Sequence, residues 1–147
     1  MPFSEQINKG RTKAKAKKVL EDYTRYRSII DNGLFDLGVK SPALDHQTFS
    51  NFVNFDKKLI NEIEQKDRQY EEVKGFIQGV QRSINRLKEN QIEIINMKYV
   101  NGLSNQEIIE RLNSTGQIMS ERHFSRVLQD LYIDFAIAHG IYVMKDQ

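Results

Sequence analysis

Only two prolines interrupt the chain, and both lie in its first third, at Pro2 and Pro42. Because proline removes a backbone N–H and its ring clashes with the preceding helical turn, this scarcity leaves long segments free to be helical. A length of 147 residues corresponds to one domain or to two small helical lobes. We therefore predict an all-α fold.

Composition excludes several classes of protein. The chain has no cysteine, which excludes disulfides and thiolate metal sites and fits a reducing compartment. No apolar run approaches the ~20 residues that span a bilayer, and no apolar stretch follows the cations at the start, as it would in a secretory signal. We expect a cytoplasmic protein with no membrane partner.

Apolar residues at spacings of three and four predict two long helices. The first covers roughly residues 12–30, and the second runs from Phe55 or Asp56 to Lys88. An antiparallel pairing is the simplest way to bury both apolar stripes. The stripe of the second helix consists of Leu59, Ile63, Tyr70, Val73, Ile77, Val80, Ile84 and Leu87.

The segment between these helices, residues 34–54, is irregular. Gly38 and Pro42 punctuate it, yet it keeps many apolar and aromatic residues. Disordered segments rarely carry so many aromatics. We expect an ordered loop that packs against the rest of the chain.

Three shorter helices are predicted in the last third. The first covers residues 91–99 and is followed by a tight turn at Asn101-Gly102. Ser104 and Glu107 have the spacing of a capping box, which begins a helix over residues 105–112. Ser120 is the N-cap of a last helix over residues 121–135.

This last third has the pattern of a helix-turn-helix DNA-binding unit. Such a unit needs a helix with one face buried and polar side chains directed at base edges in the major groove. If Phe124, Val127 and Leu128 pack inward, the opposite face of the last helix carries the candidates for base contact, which are Glu121, Arg122, Ser125, Arg126 and Gln129. Candidates for phosphate contact are Ser104, Asn105, Gln106, Lys98, Arg111, Lys13 and Lys17.

Two features depart from a simple helix-turn-helix. Residues 113–119 form a connection several residues longer than the usual three or four; it either touches the DNA backbone or reorients the last helix. Residues 91–147 also carry five basic against seven acidic side chains, which disfavours strong binding by this region alone.

Positive charge is instead concentrated at the start, where residues 1–30 hold eight basic against three acidic side chains. Six of the basic residues lie between Lys9 and Lys18. Two interpretations stay open for this run. It is either a basic arm on DNA phosphates, with salt-dependent affinity, or the solvated, frayed start of a helix.

The stretch LKENQIEIINMKYVNGLSNQEIIERL, followed by MSERHFSRVLQDL, resembles the fourth region of bacterial sigma factors. The whole chain is similar to phage and prophage transcription regulators of the ArpU type, from the Lys-rich start and VLEDYTRYR through Lys40-Ser41-Pro42 to the C-terminal unit. The longer connection fits the phage family better than sigma factors.

This resemblance implies an activator of late phage genes (structural, packaging or lysis) in the bacterial cytoplasm. Its partners would be double-stranded promoter DNA and bacterial RNA polymerase. We divide the chain into a helical N-terminal region, residues 1–90, and a helix-turn-helix DNA-binding domain, residues 91–147. A homodimer would match two symmetric half-sites, and the oligomeric state stays open.

A function of another class also stays open: a helical protein-interaction or DNA-packaging subunit that uses the C-terminal unit for assembly. Catalysis is disfavoured, because His46, His123 and His139 are far apart and no paired-carboxylate motif or phosphate-binding glycine loop is present. We expect no enzymatic activity, no metal and no cofactor.

Overall fold

The computed structural model describes residues 3–31 and 57–145, with the backbone alone at Ser4 and residues 57–63. Within these ranges the regular structure is helical, and the one β feature is an isolated antiparallel bridge between Ile7 and Met144. The predicted all-α fold is confirmed. The elements are a 3₁₀ turn (Phe3–Glu5), α1 (Lys9–Asp31), α2 (Lys57–Ile84), α3 (Glu89–Ile95), a π-helical turn (Asn96–Val100), α4 (Asn105–Ser114) and α5 (Glu121–His139).

Some predictions fall outside the described residues. These are the ordered loop over residues 34–54, the Lys40-Ser41-Pro42 segment, His46, and the side chains of Leu59 and Ile63. Among the described helices, none combines the length and the apolar character needed to cross a membrane.

Helix α1 begins three residues earlier than the apolar spacing predicts. The side chain of Asn8 accepts a hydrogen bond from the backbone N–H of Arg11 at 3.1 Å, which satisfies a donor that the first turn leaves unpaired. Helix α2 ends at Ile84 rather than at Lys88. The side chain of Gln91 accepts from the backbone N–H of Lys88 at 3.1 Å, and this contact begins α3.

The helix predicted over residues 91–99 is observed as two parts. Helix α3 ends at Ile95, and the next five residues form a π-helical turn that closes with a bond from Asn101 N–H to the carbonyl of Asn96 at 2.9 Å. At the end of α5, Gly140 adopts a left-handed conformation with φ of 75°, which favours glycine and stops the helix.

Two compact units divide the chain: Met1–Thr24 together with Gln78–Gln147 (the composite unit), and Arg25–Ile77 (the middle unit). This division differs from the boundary predicted at residue 90. The first turns of α1 and the last turns of α2 therefore share a packing unit with α3, α4 and α5. The core of the composite unit includes Ala16, Leu20, Tyr23, Val80, Ile84, Ile94, Ile95, Ile108, Leu112, Phe124, Leu131 and Phe135.

Both ends of the described chain meet inside the composite unit. The buried hydroxyl of Thr12 accepts from the N–H of Val143 at 3.0 Å and donates to its carbonyl at 3.4 Å. The same carbonyl accepts from the N–H of Asn8 at 2.7 Å. The rings of Phe3 and Tyr142 meet edge to face at 5.0 Å. These contacts fix the start of α1 to the segment that follows α5.

The middle unit contains the last turns of α1 and the greater part of α2. Tyr26 and Phe76 make an edge-to-face contact with ring centroids 5.4 Å apart, and the guanidinium of Arg25 lies 5.2 Å from the Tyr26 ring. No side chain described in this unit is fully buried.

Candidate nucleic-acid interface

The buried face of α5 fixes which side chains point outward. Phe124, Leu128, Leu131 and Phe135 are all buried, at spacings of three and four that place them on one side of a helix. Ser120 caps the helix by accepting from the N–H of His123 at 3.1 Å. The predicted N-cap and inward-facing residues are therefore observed, with Val127 half-buried.

The opposite side of α5 carries what we call the polar stripe: Arg122, Ser125, Arg126 and Gln129. All four are exposed, as is Glu121 at the edge of the stripe. Neither arginine has a salt-bridge partner among the described residues. Two guanidinium groups are thus held on a rigid helix with their donors available for a ligand.

The capping box predicted at the start of α4 is present. Ser104 Oγ accepts from the N–H of Glu107 at 3.2 Å, and the Glu107 carboxylate accepts from the N–H of Ser104 at 3.2 Å. The neighbouring Asn105 and Gln106 are exposed. Arg111 is also exposed, but it lies about two helical turns further along α4. The candidates for backbone contact on α4 therefore occupy both ends of the helix.

Lys98 links the π-helical turn to the start of α4. Its ammonium donates to Asn105 Oδ1 at 2.8 Å. Burial and the positive charge of Lys17 lower the pKa of Lys98, and the carboxylate of Glu21 partly opposes this effect. Helix α1 contacts this turn through Thr24, whose hydroxyl donates to the carbonyl of Tyr99 at 2.8 Å.

A second contact joins the basic run to the polar stripe. The ammonium of Lys13 donates to Gln129 Oε1 at 3.0 Å, across 116 positions of sequence. The opposite face of this part of α1 is anchored, because Thr12 and Ala16 are completely buried. The basic run is thus helical from Lys9 onward and is not frayed, and five of its six basic side chains are exposed to solvent, as the second interpretation expects. Whether its lysines touch DNA stays a prediction.

The connection between α4 and α5, residues 115–120, is ordered by its own hydrogen bonds. Asn113 Oδ1 accepts from the N–H of Met119 at 2.8 Å, and the carbonyl of Leu112 accepts from the N–H of Gln117 at 3.0 Å. Gly116 has φ of 89°, which few other residues adopt. The connection leaves Ile118 87% exposed beside the start of α5.

Two positioning contacts were missed by the sequence analysis. Asn113 holds the connection, and an Asn before a Ser-Thr-Gly turn is a signal that could have indicated this role. Gln91 is buried and donates to Asp134 Oδ2 at 2.7 Å, which ties α3 to α5. No sequence signal identified Gln91, because an isolated glutamine on a helix is usually exposed.

Comparisons with protein-family models, curated proteins and solved structures find no match to this chain.

Proposed function

We propose that this chain is a sequence-specific DNA-binding transcriptional regulator that activates late phage genes in the bacterial cytoplasm. The observation that carries the proposal is the exposed polar stripe of α5, which the Lys13–Gln129 contact joins to the basic run of α1. One surface thereby combines side chains suited to bases with side chains suited to phosphates.

In this proposal α4 and α5 form a helix-turn-helix, and α5 enters the major groove. Arg122 and Arg126 suit bidentate contact with O6 and N7 of guanine. Ser125 and Gln129 continue the same stripe, with Glu121 at its edge. Since the apolar face of α5 is buried, the helix can approach bases without exposing its core.

Phosphate contacts would come from both ends of α4. The N–H groups at the start of α4, with Ser104, Asn105 and Gln106, form a positive helix end that favours an anion. Lys98 contacts this end through Asn105, and Lys17 would add a positive charge from α1. Arg111 would contribute from the other end of α4.

The excess of acidic side chains in residues 91–147 is offset by basic side chains from another part of the same compact unit. Residues 1–24, which belong to the same compact unit, add six basic and three acidic side chains. The composite unit holds 14 Lys and Arg against 11 Asp and Glu. We therefore assign part of the affinity for promoter DNA to α1, and we expect it to weaken steeply with salt.

The proposed partners are double-stranded promoter DNA and bacterial RNA polymerase, with a homodimer on symmetric operators. The proposed role is one of binding, without catalysis or a cofactor.

A binding titration with DNA from the promoters beside the chain's own gene tests the proposal. Arg122→Ala and Arg126→Ala should each weaken binding by ~1–3 kcal/mol. Arg82→Ala removes an exposed arginine from α2 and is the matched control, for which we expect unchanged affinity. Equal affinity of all four proteins across several salt concentrations would refute the assignment of base contacts to α5.

A second candidate function is a protein-interaction or DNA-packaging subunit. The observation that favours it is the half-exposed apolar stripe of the middle unit, formed on α2 by Tyr70, Val73, Phe76 and Ile77. Stable protein complexes together with no DNA affinity at low salt would select this function. A promoter-reporter assay separates a packaging subunit that binds DNA from an activator.

A further inference from the structure

The apolar stripe of α2 repeats with alternating steps of four and three residues along the whole helix. This is the heptad spacing of a coiled coil, in which the first and fourth residues of every seven face a neighbouring helix. We call these positions the heptad seam: Leu59, Ile63, Lys66, Tyr70, Val73, Ile77, Val80 and Ile84. Lys66 is its one charged residue. The sequence of α2 therefore provides a continuous surface for pairing with another helix.

The heptad seam is covered unevenly. Val80 and Ile84 are buried in the core of the composite unit, whereas Tyr70, Val73 and Ile77 are half-exposed. Tyr26 of α1 packs on Phe76, which lies beside the heptad seam and not on it. A regular heptad with half-exposed residues at its centre indicates that a further helix packs there.

The charges beside the heptad seam fit a second copy of the chain. Asp67 and Lys74 are exposed and one heptad apart, so they occupy the same flank. Neither has a salt-bridge partner among the described residues. When two identical helices pair antiparallel about a two-fold axis, each flank faces the same flank of the other copy. With the axis between Tyr70 and Val73, Asp67 of each copy faces Lys74 of the other.

The same two charges disfavour the neighbouring alignments. Sliding the helices by one heptad in either direction keeps the apolar positions matched. It places Asp67 opposite Asp67 of the second copy, or Lys74 opposite Lys74. A parallel pairing sets this flank against the other one and does not bring Asp67 to Lys74. Because charges that flank a coiled-coil seam set the partner and its orientation, they select one antiparallel alignment.

We infer that the middle unit is the interface of a homodimer, in which residues 66–77 of α2 pair antiparallel with the same residues of a second copy and form two Asp67–Lys74 ion pairs. The pairing itself requires no DNA. Its use on a symmetric operator rests on the proposed function, because a two-fold dimer presents two copies of the polar stripe to half-sites of the same symmetry.

Reversal of each charge tests this alignment. Asp67→Lys makes both flanking positions basic, and Lys74→Asp makes both acidic, so each variant brings like charges together twice when it pairs with itself. Each should dimerise about tenfold more weakly than the wild type, as measured by sedimentation equilibrium of the full-length protein over a series of concentrations. An equimolar mixture of the two variants should form heterodimers with wild-type affinity, because every lysine then faces an aspartate.

Two further variants serve as controls. Asp67→Lys/Lys74→Asp in one chain exchanges the two charges and should restore dimerisation. Glu71→Lys makes the same change of charge as Asp67→Lys, at an exposed position of α2 that points away from the heptad seam. It should dimerise as the wild type does. Circular dichroism and thermal unfolding verify that every variant is folded.

The interface and the proposed function fail in different ways. A wild-type chain that stays monomeric at every concentration overturns the interface, as does a dimer that neither charge reversal weakens or that the mixture does not restore. Promoter binding is measured separately on the same proteins. A monomer that binds promoter DNA keeps the proposed function and loses the interface, whereas a charge-sensitive dimer that binds no DNA at low salt keeps the interface and loses the function.

Discussion

The same two helices behave differently in the two compact units. On α1, Leu20 and Tyr23 in the composite unit are buried, whereas Ile29 and Ile30 in the middle unit are only half-buried. On α2, Val80 is completely buried in the composite unit, whereas Ile77 of the middle unit, one turn earlier, is half-exposed. On both helices the apolar spacing continues from one unit into the other. Periodicity therefore identifies which face of a helix is apolar, but it does not determine how deeply that face is buried.

The composite unit also differs in its polar contacts. Its buried polar residues within the described ranges are Thr12, Ser83 and Gln91, and all of them have hydrogen-bond partners. No buried side-chain nitrogen or oxygen in the described part of the chain lacks a partner. Since an unsatisfied buried polar group is costly, these pairs favour one specific packing.

The largest expected effect is loss of core packing. Phe135 is completely buried in the composite unit, and Phe135→Ala should lower the free energy of unfolding by about 3–5 kcal/mol. Phe76→Ala, at a half-exposed site of the middle unit, should lower it by about 1 kcal/mol. Urea unfolding followed by circular dichroism measures both. Equal losses would remove the distinction between the units.

The next effect concerns a buried pair of hydroxyls. Tyr99 and Tyr132 lie with their oxygens 2.6 Å apart, and burial together with this hydrogen bond raises the pKa of Tyr99. Tyr132→Phe should cost about 1–3 kcal/mol, because it leaves the Tyr99 hydroxyl buried without a partner. The double variant Tyr99→Phe/Tyr132→Phe should recover most of that loss.

Tyr26→Phe is the control in the middle unit, where the ring is half-exposed. We expect a change within about 0.5 kcal/mol there. A double variant as unstable as Tyr132→Phe alone would show that an unpaired Tyr99 hydroxyl is not the source of the lost stability.

A smaller effect is expected at the start of α4. Ser104→Ala removes an acceptor for the N–H of Glu107 and should cost about 1 kcal/mol. Ser104→Asp retains a capping acceptor and should keep nearly the wild-type stability. If alanine and aspartate behave alike in urea unfolding, the cap does not contribute to the stability of the composite unit.

The smallest effect concerns pH. His139 stacks on Phe135 with ring centroids 5.3 Å apart, and its Nδ1 lies 2.7 Å from Ser83 Oγ. Burial lowers the pKa of His139 below its ordinary value of 6.5. The unfolded chain therefore binds the proton more readily, so the stability present above pH 6.5 falls as the pH decreases toward the lower folded pKa.

Urea midpoints at several values between pH 7.5 and pH 5 measure this dependence. His139→Gln should flatten it. His123→Gln, at an exposed position of the same helix, should leave it as in the wild type. A wild-type slope that persists in His139→Gln would assign the pH dependence to other groups.

Local signals predicted much of the fold. Ser104 with Glu107, and Ser120 before the last helix, marked helix starts because a cap needs only neighbouring residues. The buried faces of α4 and α5 followed from spacing. The division near residue 90 did not anticipate that Thr12 bonds Val143, because such a pairing depends on distant residues that no local pattern reveals.

The candidate site was predictable to a similar extent. The four residues of the polar stripe are exposed as expected. Because the opposite face of α5 is buried, their side chains point to solvent. The sequence placed Lys13 among phosphate contacts but gave no sign that it reaches Gln129. Contacts between exposed polar side chains follow from the packing of whole helices, which spacing within one helix does not determine.

The pairing of Thr12 with Val143 has a consequence during synthesis. The two residues are 131 positions apart, and at about 5–20 residues per second a ribosome needs roughly 7–26 s to add them. For that interval α1 emerges without the strand-like segment that fixes its first turns. The composite unit therefore closes only after translation has passed Val143, and a ribosome that stalls earlier leaves a nascent chain whose lysine-rich helix has no docking partner.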